Sequence, residues 1–124
     1  MMTEDEAASF ASEWIDAWNS HDLNRILSHY DEAVTFLSPV AEKRVGNGSV
    51  VGTEALRKYW GTGLSSQPDL KFEYLGVMNG HHCLTLVYLN HRQQMAAETF
   101  EFNSSNKVVR SFACYAIGSF AILK

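Results

Sequence analysis

The first apolar stripe of the chain has helical spacing. Phe10, Trp14 and Trp18 recur at four-residue intervals, which places them on one face of an α-helix. Thr3 and Glu6 precede this stripe with the spacing of a capping box, in which each side chain bonds the other residue's free backbone N–H. The pattern therefore predicts a helix that begins just after Thr3 and ends at the polar run NSHD.

Two further helices are predicted in the first half, with a short strand between them. Asp22 is a suitable N-cap for the second helix and Thr53 for the third. Their apolar stripes are Leu23, Ile26, Leu27 and Tyr30 in the second helix, and Leu56, Trp60 and Leu64 in the third. Residues 34–38 are rich in strand formers and stop at Pro39, and residues 41–48 are predicted to be a loop or a loose hairpin. The glycines, serines and proline from position 61 onward are expected to end the third helix.

The second half has the pattern of an antiparallel meander. Four strands are predicted, at residues 70–78, 83–90, 95–102 and 107–117. Asn79-Gly80 is the strongest turn signal between them, because both residues tolerate positive φ.

This order of elements predicts an α+β domain, because the helices gather at one end of an antiparallel sheet. Three N-terminal helices packed on a curved, mainly antiparallel sheet would form a cone that encloses a pocket lined by aromatic side chains. The chain has 124 residues, of which 46% are hydrophobic and 19% charged, enough for one core. We therefore expect a single domain over residues 1–124.

The charge distribution and the length of the apolar runs argue against nucleic-acid and membrane partners. The net charge is −4 and the basic residues are scattered, so no basic stripe is present for nucleic acid. The acidic start does not resemble a signal peptide, and the longest apolar run, residues 113–123, is too short to span a membrane. Cys83 and Cys114 are expected to be reduced, partly buried thiols. The sequence predicts a cytoplasmic protein without nucleic-acid or membrane partners.

Local motifs add a family resemblance that covers about residues 3 to 116. The motifs lie at residues 14–19 (WIDAWN), 21–23 (HDL), 30–33 (YDEA), 51–56 (VGTEAL), 100–103 (FEFN) and 107–109 (KVV). In these motifs and in element order, the chain resembles the nuclear transport factor 2-like superfamily, and within it the SnoaL-like and ketosteroid isomerase-like group. The resemblance implies a cystatin-like roll. It leaves the activity open, because the superfamily contains enzymes and binding modules alike.

The resemblance also maps the functional positions of ketosteroid isomerases onto this chain. The family's proton-shuttling carboxylate falls on Ser38, its oxyanion-binding tyrosine on Trp14, and its protonated aspartate on Glu98. Only Glu98 keeps a similar group. A serine hydroxyl is not a carbon-acid base at neutral pH without a neighbouring base, so Ser38 is a weak catalytic candidate. Ketosteroid isomerase chemistry is therefore not expected.

Glu98 is the main catalytic candidate. Strand alternation places Glu98, Phe100 and Phe102 on one face, which we assign to the interior of the cone. A carboxyl group on an aromatic face is partly desolvated, and this raises its pKa and suits it to acid–base work. The alternative is that Glu98 is a structural polar group paired with a cation or a tyrosine hydroxyl.

Aromatic residues are the candidate ligand-binding walls of the pocket. They are Trp14, Trp18, Tyr30, Phe36, Trp60, Phe100 and Tyr115. Tyr30 and Tyr115 also carry hydroxyls that could orient a substrate oxygen. The alternative is that these side chains fill the core, which is the commoner role of aromatic stripes at helical spacing.

No metal or cofactor is expected. The five histidines do not show the spacing, with a convergent carboxylate, that a metal site needs. Phosphate-binding loops, dinucleotide fingerprints and nucleophile elbows are also absent from the sequence.

Two functions remain open at this stage. The first is a SnoaL-like domain that binds a small apolar ligand without chemistry. The second is a lyase, isomerase or hydrolase that acts on a small carbonyl- or hydroxyl-bearing apolar substrate, with Glu98 as the acid–base group. Enzymes of the superfamily usually place two or three polar groups in the cone. The sequence supports one such group, Glu98, so it favours the binding module.

The final strand predicts a homodimer through the outer face of the sheet. Its alternation assigns Val109, Ser111, Ala113 and Tyr115 to the cone, and Val108, Arg110, Phe112, Cys114 and Ala116 to the opposite face. The opposite face is largely apolar, although a solvent-exposed sheet face is usually polar. A second copy that covers this strip would remove an exposed apolar patch. The alternative is that residues 117–123 fold back over the strip.

Overall fold

The structure is a computed structural model that describes residues 2–118 and 120, and within them the chain forms four helices and six strands. The helices are α1 (Glu4–Asn19), α2 (Leu23–Leu27), α3 (Pro39–Val45) and α4 (Thr53–Ser66). The strands are β1 (Tyr30–Leu37), β2 (Ser49–Val51), β3 (Glu73–Asn79), β4 (Cys83–Leu89), β5 (Met95–Phe102) and β6 (Val108–Tyr115). Helix α3 and strand β2 were not predicted from the sequence.

The strands form one curved, unclosed sheet in the order β2-β1-β6-β5-β4-β3. Neighbouring strands are antiparallel except β1 and β6, which run parallel. Helix α1 packs against β3 and helix α4 against β1, and one hydrophobic core lies between the helices and the sheet. The predicted α+β architecture, helices on a mainly antiparallel sheet in a cystatin-like roll, is confirmed.

The capping box predicted for α1 is present. The Thr3 hydroxyl accepts a hydrogen bond of 3.1 Å from the backbone N–H of Glu6, whose carboxylate accepts one of 2.9 Å from the Thr3 N–H. The stripe of Phe10, Trp14 and Trp18 is buried as expected.

Helix α2 is shorter than predicted, because Tyr30 belongs to the sheet. Asp22 caps the helix as expected, accepting from the Arg25 N–H at 3.1 Å. The helix ends at Leu27, however, and Tyr30 begins β1, where it pairs with Val108 of β6. The helical spacing of Tyr30 is a local signal that this long-range strand pairing overrides.

The segment after Ser38, predicted to be a loop over residues 41–48, contains α3 and the start of β2. Ser38 is the N-cap, and its hydroxyl accepts hydrogen bonds of 3.1 and 3.4 Å from the N–H groups two and three residues on. Pro39 occupies the first turn, where its missing N–H costs nothing. Gly46 then ends α3 with a φ of 78°, which favours glycine.

We expect Ser38→Ala to lower the free energy of unfolding by about 1 kcal/mol, because it removes the cap of α3. The N–H of the buried Ala41 would lose its partner where water cannot easily replace it. Urea unfolding measures the change, and Ser105→Ala in an exposed turn is the control. Equal stabilities of the two variants would contradict a stabilising role for the cap.

Helix α4 begins and ends differently from the prediction. Thr53 lies inside the first turn and makes no cap, since Gly52 is the N-cap residue with a φ of 90°. The helix also continues through Gly61 and Gly63 to Ser66. The helix as a whole packs on β1, β2 and α2.

Strand β6 follows the predicted alternation only after a bulge. Ser111 and Ala113 are buried on the inner face, as predicted. Val108, predicted to face outward, is fully buried, and Val109, predicted to face inward, is half-buried. The register shifts where Phe102 pairs with Val108, and the extra residue reverses the alternation.

Smaller differences concern a turn and the cysteines. Asn79 and Gly80 lead from β3 to β4 as predicted, but the left-handed φ of 55° in this turn belongs to His82. Both cysteines are free thiols, and Cys83 is half-buried as expected. Cys114 is exposed, contrary to the prediction, because alternation along β6 turns it away from the core.

Candidate functional site

A cavity of about 170 Å³ lies between the helices and the inner face of the sheet. Its wall is mostly aromatic, formed by Trp14, Trp18, Phe36, Tyr59, Trp60, Phe72, Tyr88 and Tyr115. Rings within this wall support one another: Trp60 meets Trp18 and Phe36 edge to face, each with ring centroids 5.2 Å apart. The cavity therefore has a rigid, largely apolar wall.

Glu98 brings a carboxyl group to this wall from the middle of β5. Its strand neighbours are Leu86 of β4 and Ala113 of β6, and the side chain is only 4% exposed. The Tyr88 hydroxyl donates to Oε1 at 3.4 Å, and the Ser111 hydroxyl donates to Oε2 at 3.1 Å. Both donors are neutral, and no cation among residues 2–118 and 120 forms an ion pair with the carboxylate.

Burial raises the pKa of Glu98 to about 7, because the charged carboxylate is poorly solvated in the interior. The hydrogen bonds from Ser111 and Tyr88 favour the charged form and lower this pKa, but by less than burial raises it. A carboxyl group with this pKa is part acid and part carboxylate at neutral pH. It can therefore accept or donate a proton under ordinary conditions.

Other hydroxyl groups share the cavity with Glu98. Burial raises the pKa of Tyr115 and of Tyr59, and the Glu98 carboxylate raises both further. The Ser38 hydroxyl and the Arg44 charge act on both tyrosines in the opposite direction. Because both tyrosines stay protonated at neutral pH, they can donate hydrogen bonds to an oxygen of a bound molecule.

The structure brings most of the sequence-predicted site residues together. Those that line the cavity are Trp14, Trp18, Phe36, Ser38, Trp60, Glu98 and Tyr115. Tyr30 and Phe100 lie behind the wall instead. Tyr30 accepts a hydrogen bond of 3.0 Å from the Trp14 indole N–H, and Phe100 is fully buried against Trp14 and Phe10.

Four polar residues of the site were not singled out from the sequence. Ser111 was assigned to the inner face, but its contact with Glu98 depends on the register between β5 and β6. Tyr88 alternates inward along β4, and this pattern is visible in the sequence. Tyr59 was overlooked beside the more apolar Trp60, and the segment of Arg44 was predicted to be a loop.

The solvent-exposed side of the cavity lining, here called the mouth, is polar and basic. Its exposed residues are Arg44 of α3 and Arg92 and Gln94 of the β4–β5 turn, and the half-buried Asn90 and His91 lie in the same turn. This contrasts with the aromatic interior and with the net negative charge of the whole chain.

Two buried nitrogen atoms of the cavity lining lack hydrogen-bond partners among residues 2–118 and 120. They are the indole Nε1 of Trp18 and the ring Nδ1 of His91. Buried polar atoms are nearly always paired in folded proteins. An occupant of the cavity with hydrogen-bonding atoms would supply the missing partners.

In the described part of the chain, no three His, Cys, Asp or Glu side chains come together as metal ligands would. None of the helices found there is both long and apolar enough to cross a membrane.

Solved structures share this fold over nearly the whole chain. A SnoaL-like protein of unknown function from Burkholderia thailandensis E264 is 37% identical, with a TM-score of 0.90 over 94% of this chain and 99% of that chain. A protein of unknown function with a cystatin-like fold from Methylobium petroleophilum PM1 is 13% identical, with a TM-score of 0.77 over 96% and 81%. TerC, co-crystallised with polyporic acid, is 10% identical, with a TM-score of 0.73 over 89% and 91%. The two more distant likenesses show the fold alone.

Sequence comparison agrees with the structural likeness. No curated protein matches the chain significantly. The family model described as the SnoaL-like domain matches residues 11–114. This range includes all the residues that line the cavity except Tyr115. Together with the relative at 37% identity, this match identifies the chain as a member of the SnoaL-like domain family.

Proposed function

We propose that the protein binds a compact, ring-sized organic molecule in the aromatic cavity and transfers a proton to or from it through Glu98. The observation that carries this proposal is a buried carboxyl group at a cavity wall, whose hydrogen-bond partners in the described part of the chain are the neutral hydroxyls of Tyr88 and Ser111. Groups with such perturbed protonation cluster at functional sites.

The size and lining of the cavity support a compact ligand. An apolar cavity of about 150 Å³ is large enough for benzene, and this cavity of about 170 Å³ is of the same order. The aromatic wall favours a ring or a similarly flat molecule. Binding would stabilise the folded protein by an amount that grows with the logarithm of the ligand concentration once that concentration exceeds Kd.

The polar groups support chemistry on a molecule that carries a carbonyl group. A carbonyl oxygen placed at Tyr115 or Tyr59 would accept a hydrogen bond, and the carbon next to it would face the Glu98 carboxylate. Glu98 would take the proton from that carbon while the carbonyl becomes an enolate held by the hydroxyl. The proton would then return to the same carbon or to another. This transfer is common to isomerases and to lyases that eliminate beside a carbonyl, and no cofactor is needed to balance it.

A binding module without chemistry is the second candidate. The partnerless indole N–H of Trp18 supports it, because this donor lies in the wall and would orient a ligand oxygen without any proton transfer. In this reading Glu98 would anchor a ligand hydroxyl. The sequence favoured this candidate because it offered one polar group, whereas Ser38, Tyr59 and Tyr115 now join Glu98 around the cavity.

Deuterium exchange separates the two candidates. Cyclohexanone is a compact cyclic ketone whose α-hydrogens can be followed by NMR in deuterium oxide. We expect the protein to accelerate their exchange above the uncatalysed rate. All three tryptophans of the chain line the cavity, so tryptophan fluorescence reports binding independently. Bound cyclohexanone without faster exchange would reject proton transfer to this class and favour the binding module.

We also propose that a second copy of the chain covers the outer face of the sheet. Strand pairing aligns Leu37, Phe112, Thr99, Thr85 and Met78 in one row across five strands. These side chains are half-buried or exposed, and Met78 is 61% exposed. Leu37, Phe112 and Met78 are apolar, and the hydroxyls of Thr85 and Thr99 hydrogen-bond each other at 2.8 Å. Exposed apolar side chains in such a row usually mark an association surface, and a two-fold partner would cover them with the same residues. The alternative is that residues 117–123 fold back over this face, and most of these residues lie outside the described part of the chain.

Sedimentation equilibrium at micromolar concentration is expected to give twice the chain mass of 13.9 kDa. Phe112→Glu should shift the protein to the monomer, because it places a charge in the centre of the proposed interface. Glu32→Gln, at an exposed position of β1, is the control and should remain dimeric. A wild-type monomer of 13.9 kDa would contradict the proposed dimer.

A further inference from the structure

The basic residues at the cavity mouth come from two separate parts of the fold. Arg44 lies in the last turn of α3, and His91 and Arg92 lie in the turn between β4 and β5. All three line the same cavity. The fold therefore brings together two arginines and a histidine that are distant in sequence at one side of the cavity.

The two arginines of the mouth have no carboxylate within 4.0 Å among the described residues. Other arginines of the chain do: Arg25 pairs with Glu13 and Asp16. The nearest acidic contact at the mouth is exposed Asp69, whose Oδ1 lies 4.0 Å from Nε2 of His91. That contact leaves Nδ1 of His91 buried without a partner. The mouth therefore offers hydrogen-bond donors and positive charge that the described protein groups do not use.

The Arg44 guanidinium lies close to helix α4 in the cavity lining. A Cβ atom placed on Gly63 of α4 would lie 4.0 Å from its Nη1, so the side chain reaches from α3 to the opposite helix. Its charge also acts on the hydroxyls of Tyr59 and Tyr115. Arg44 thus borders the aromatic interior.

We propose that the ligand is an organic anion, a compact ring bearing a carboxylate that Arg44 and Arg92 hold at the cavity mouth. This inference rests on the proposed function, because it assumes that the ring occupies the aromatic cavity. The planar guanidinium group matches a carboxylate with two parallel hydrogen bonds. The carboxylate stays near water at the mouth, which avoids the cost of burying a second anion beside Glu98.

A role in stabilising the helix is the competing explanation for Arg44. Cations in the last turn of a helix interact favourably with its dipole. Lys43 occupies the same turn and does not line the cavity. Substituting Lys43 or Arg44 with a neutral residue removes one positive charge from the same end of α3. Only the substitution of Arg44 also changes the cavity lining.

The test compares benzoate with benzamide, which have nearly the same shape but differ in charge. We expect the wild-type protein, followed by tryptophan fluorescence, to bind benzoate at least about tenfold more tightly than benzamide. Added salt should weaken benzoate binding and leave benzamide binding unchanged. Arg44→Gln combined with Arg92→Gln should abolish the preference, while Lys43→Gln should retain it.

The outcomes separate this inference from the proposed function. Equal affinity for benzoate and benzamide, or a preference that survives the double arginine variant, would overturn the inference and leave the proposed function intact. Glu98→Gln should keep the preference for benzoate even though it abolishes proton transfer. If the wild-type protein binds neither molecule, both proposals fail, because the cavity then does not accept a ring.

Discussion

Glu98→Gln is expected to slow deuterium exchange of cyclohexanone by at least a hundredfold. Positioned acid–base groups contribute about 10²–10⁴-fold to proton-transfer rates, and glutamine cannot take up or release the proton. The substitution is nearly isosteric. The glutamine oxygen can still accept one of the two hydrogen bonds that Tyr88 and Ser111 donate to Glu98, and its NH₂ group can donate to the other hydroxyl oxygen. The cavity and its affinity for a ring should therefore change little.

Glu101→Gln is the matched control for this variant. Glu101 lies on the same strand, three residues on, where alternation turns it to the outer face, and its carboxylate is 4.0 Å from Arg110. The Glu101→Gln variant should catalyse deuterium exchange of cyclohexanone at the wild-type rate. An unchanged rate in Glu98→Gln, with binding intact, would remove Glu98 from the chemistry and place the protein among the binding modules.

The buried carboxyl group of Glu98 should also make stability depend on pH. Its pKa is raised from 4.5 to about 7 on folding, so the folded state holds the proton more tightly than the unfolded state. The stability is fully present below pH 4.5, falls as pH rises towards 7, and levels off above it. A shift of this size corresponds to a loss of about 3 kcal/mol.

Urea unfolding of the wild type and Glu98→Gln across this pH range measures the loss. The free energy of unfolding of the wild type, minus that of the variant, should fall by about 3 kcal/mol between acidic and neutral pH. The subtraction matters because burial lowers the pKa of His29, which makes stability rise with pH in both proteins. A difference that stays constant with pH would show that Glu98 is solvated in the folded protein.

The sequence predicts those features of the fold that depend on local signals. The capping box of Thr3 and Glu6 fixes the start of α1, and strand alternation along β5 places Glu98 on the inner face. Both patterns involve residues only a few positions apart. The family motifs extend this local information to the whole fold, which the structure confirms.

Long-range pairing accounts for what the sequence did not predict. Tyr30 suits a helical stripe, but its pairing with Val108 draws it into the sheet. The contact of Ser111 with Glu98 depends on the register between two strands, and one bulge in β6 changes that register. Ser38 and Pro39 form a local helix-start signal, but the strand formers before them also predict a strand that ends there, and both elements are present.

The most direct test of the account is an NMR titration of the Glu98 carboxyl carbon, assigned by comparison of ¹³C-labelled wild-type protein with Glu98→Gln. Proton transfer through Glu98 requires a carboxyl group that exchanges its proton near neutral pH inside the aromatic cavity. We expect the Glu98 signal to titrate with a pKa of about 7. A pKa near 4.5, the ordinary value of a glutamate in water, would contradict it.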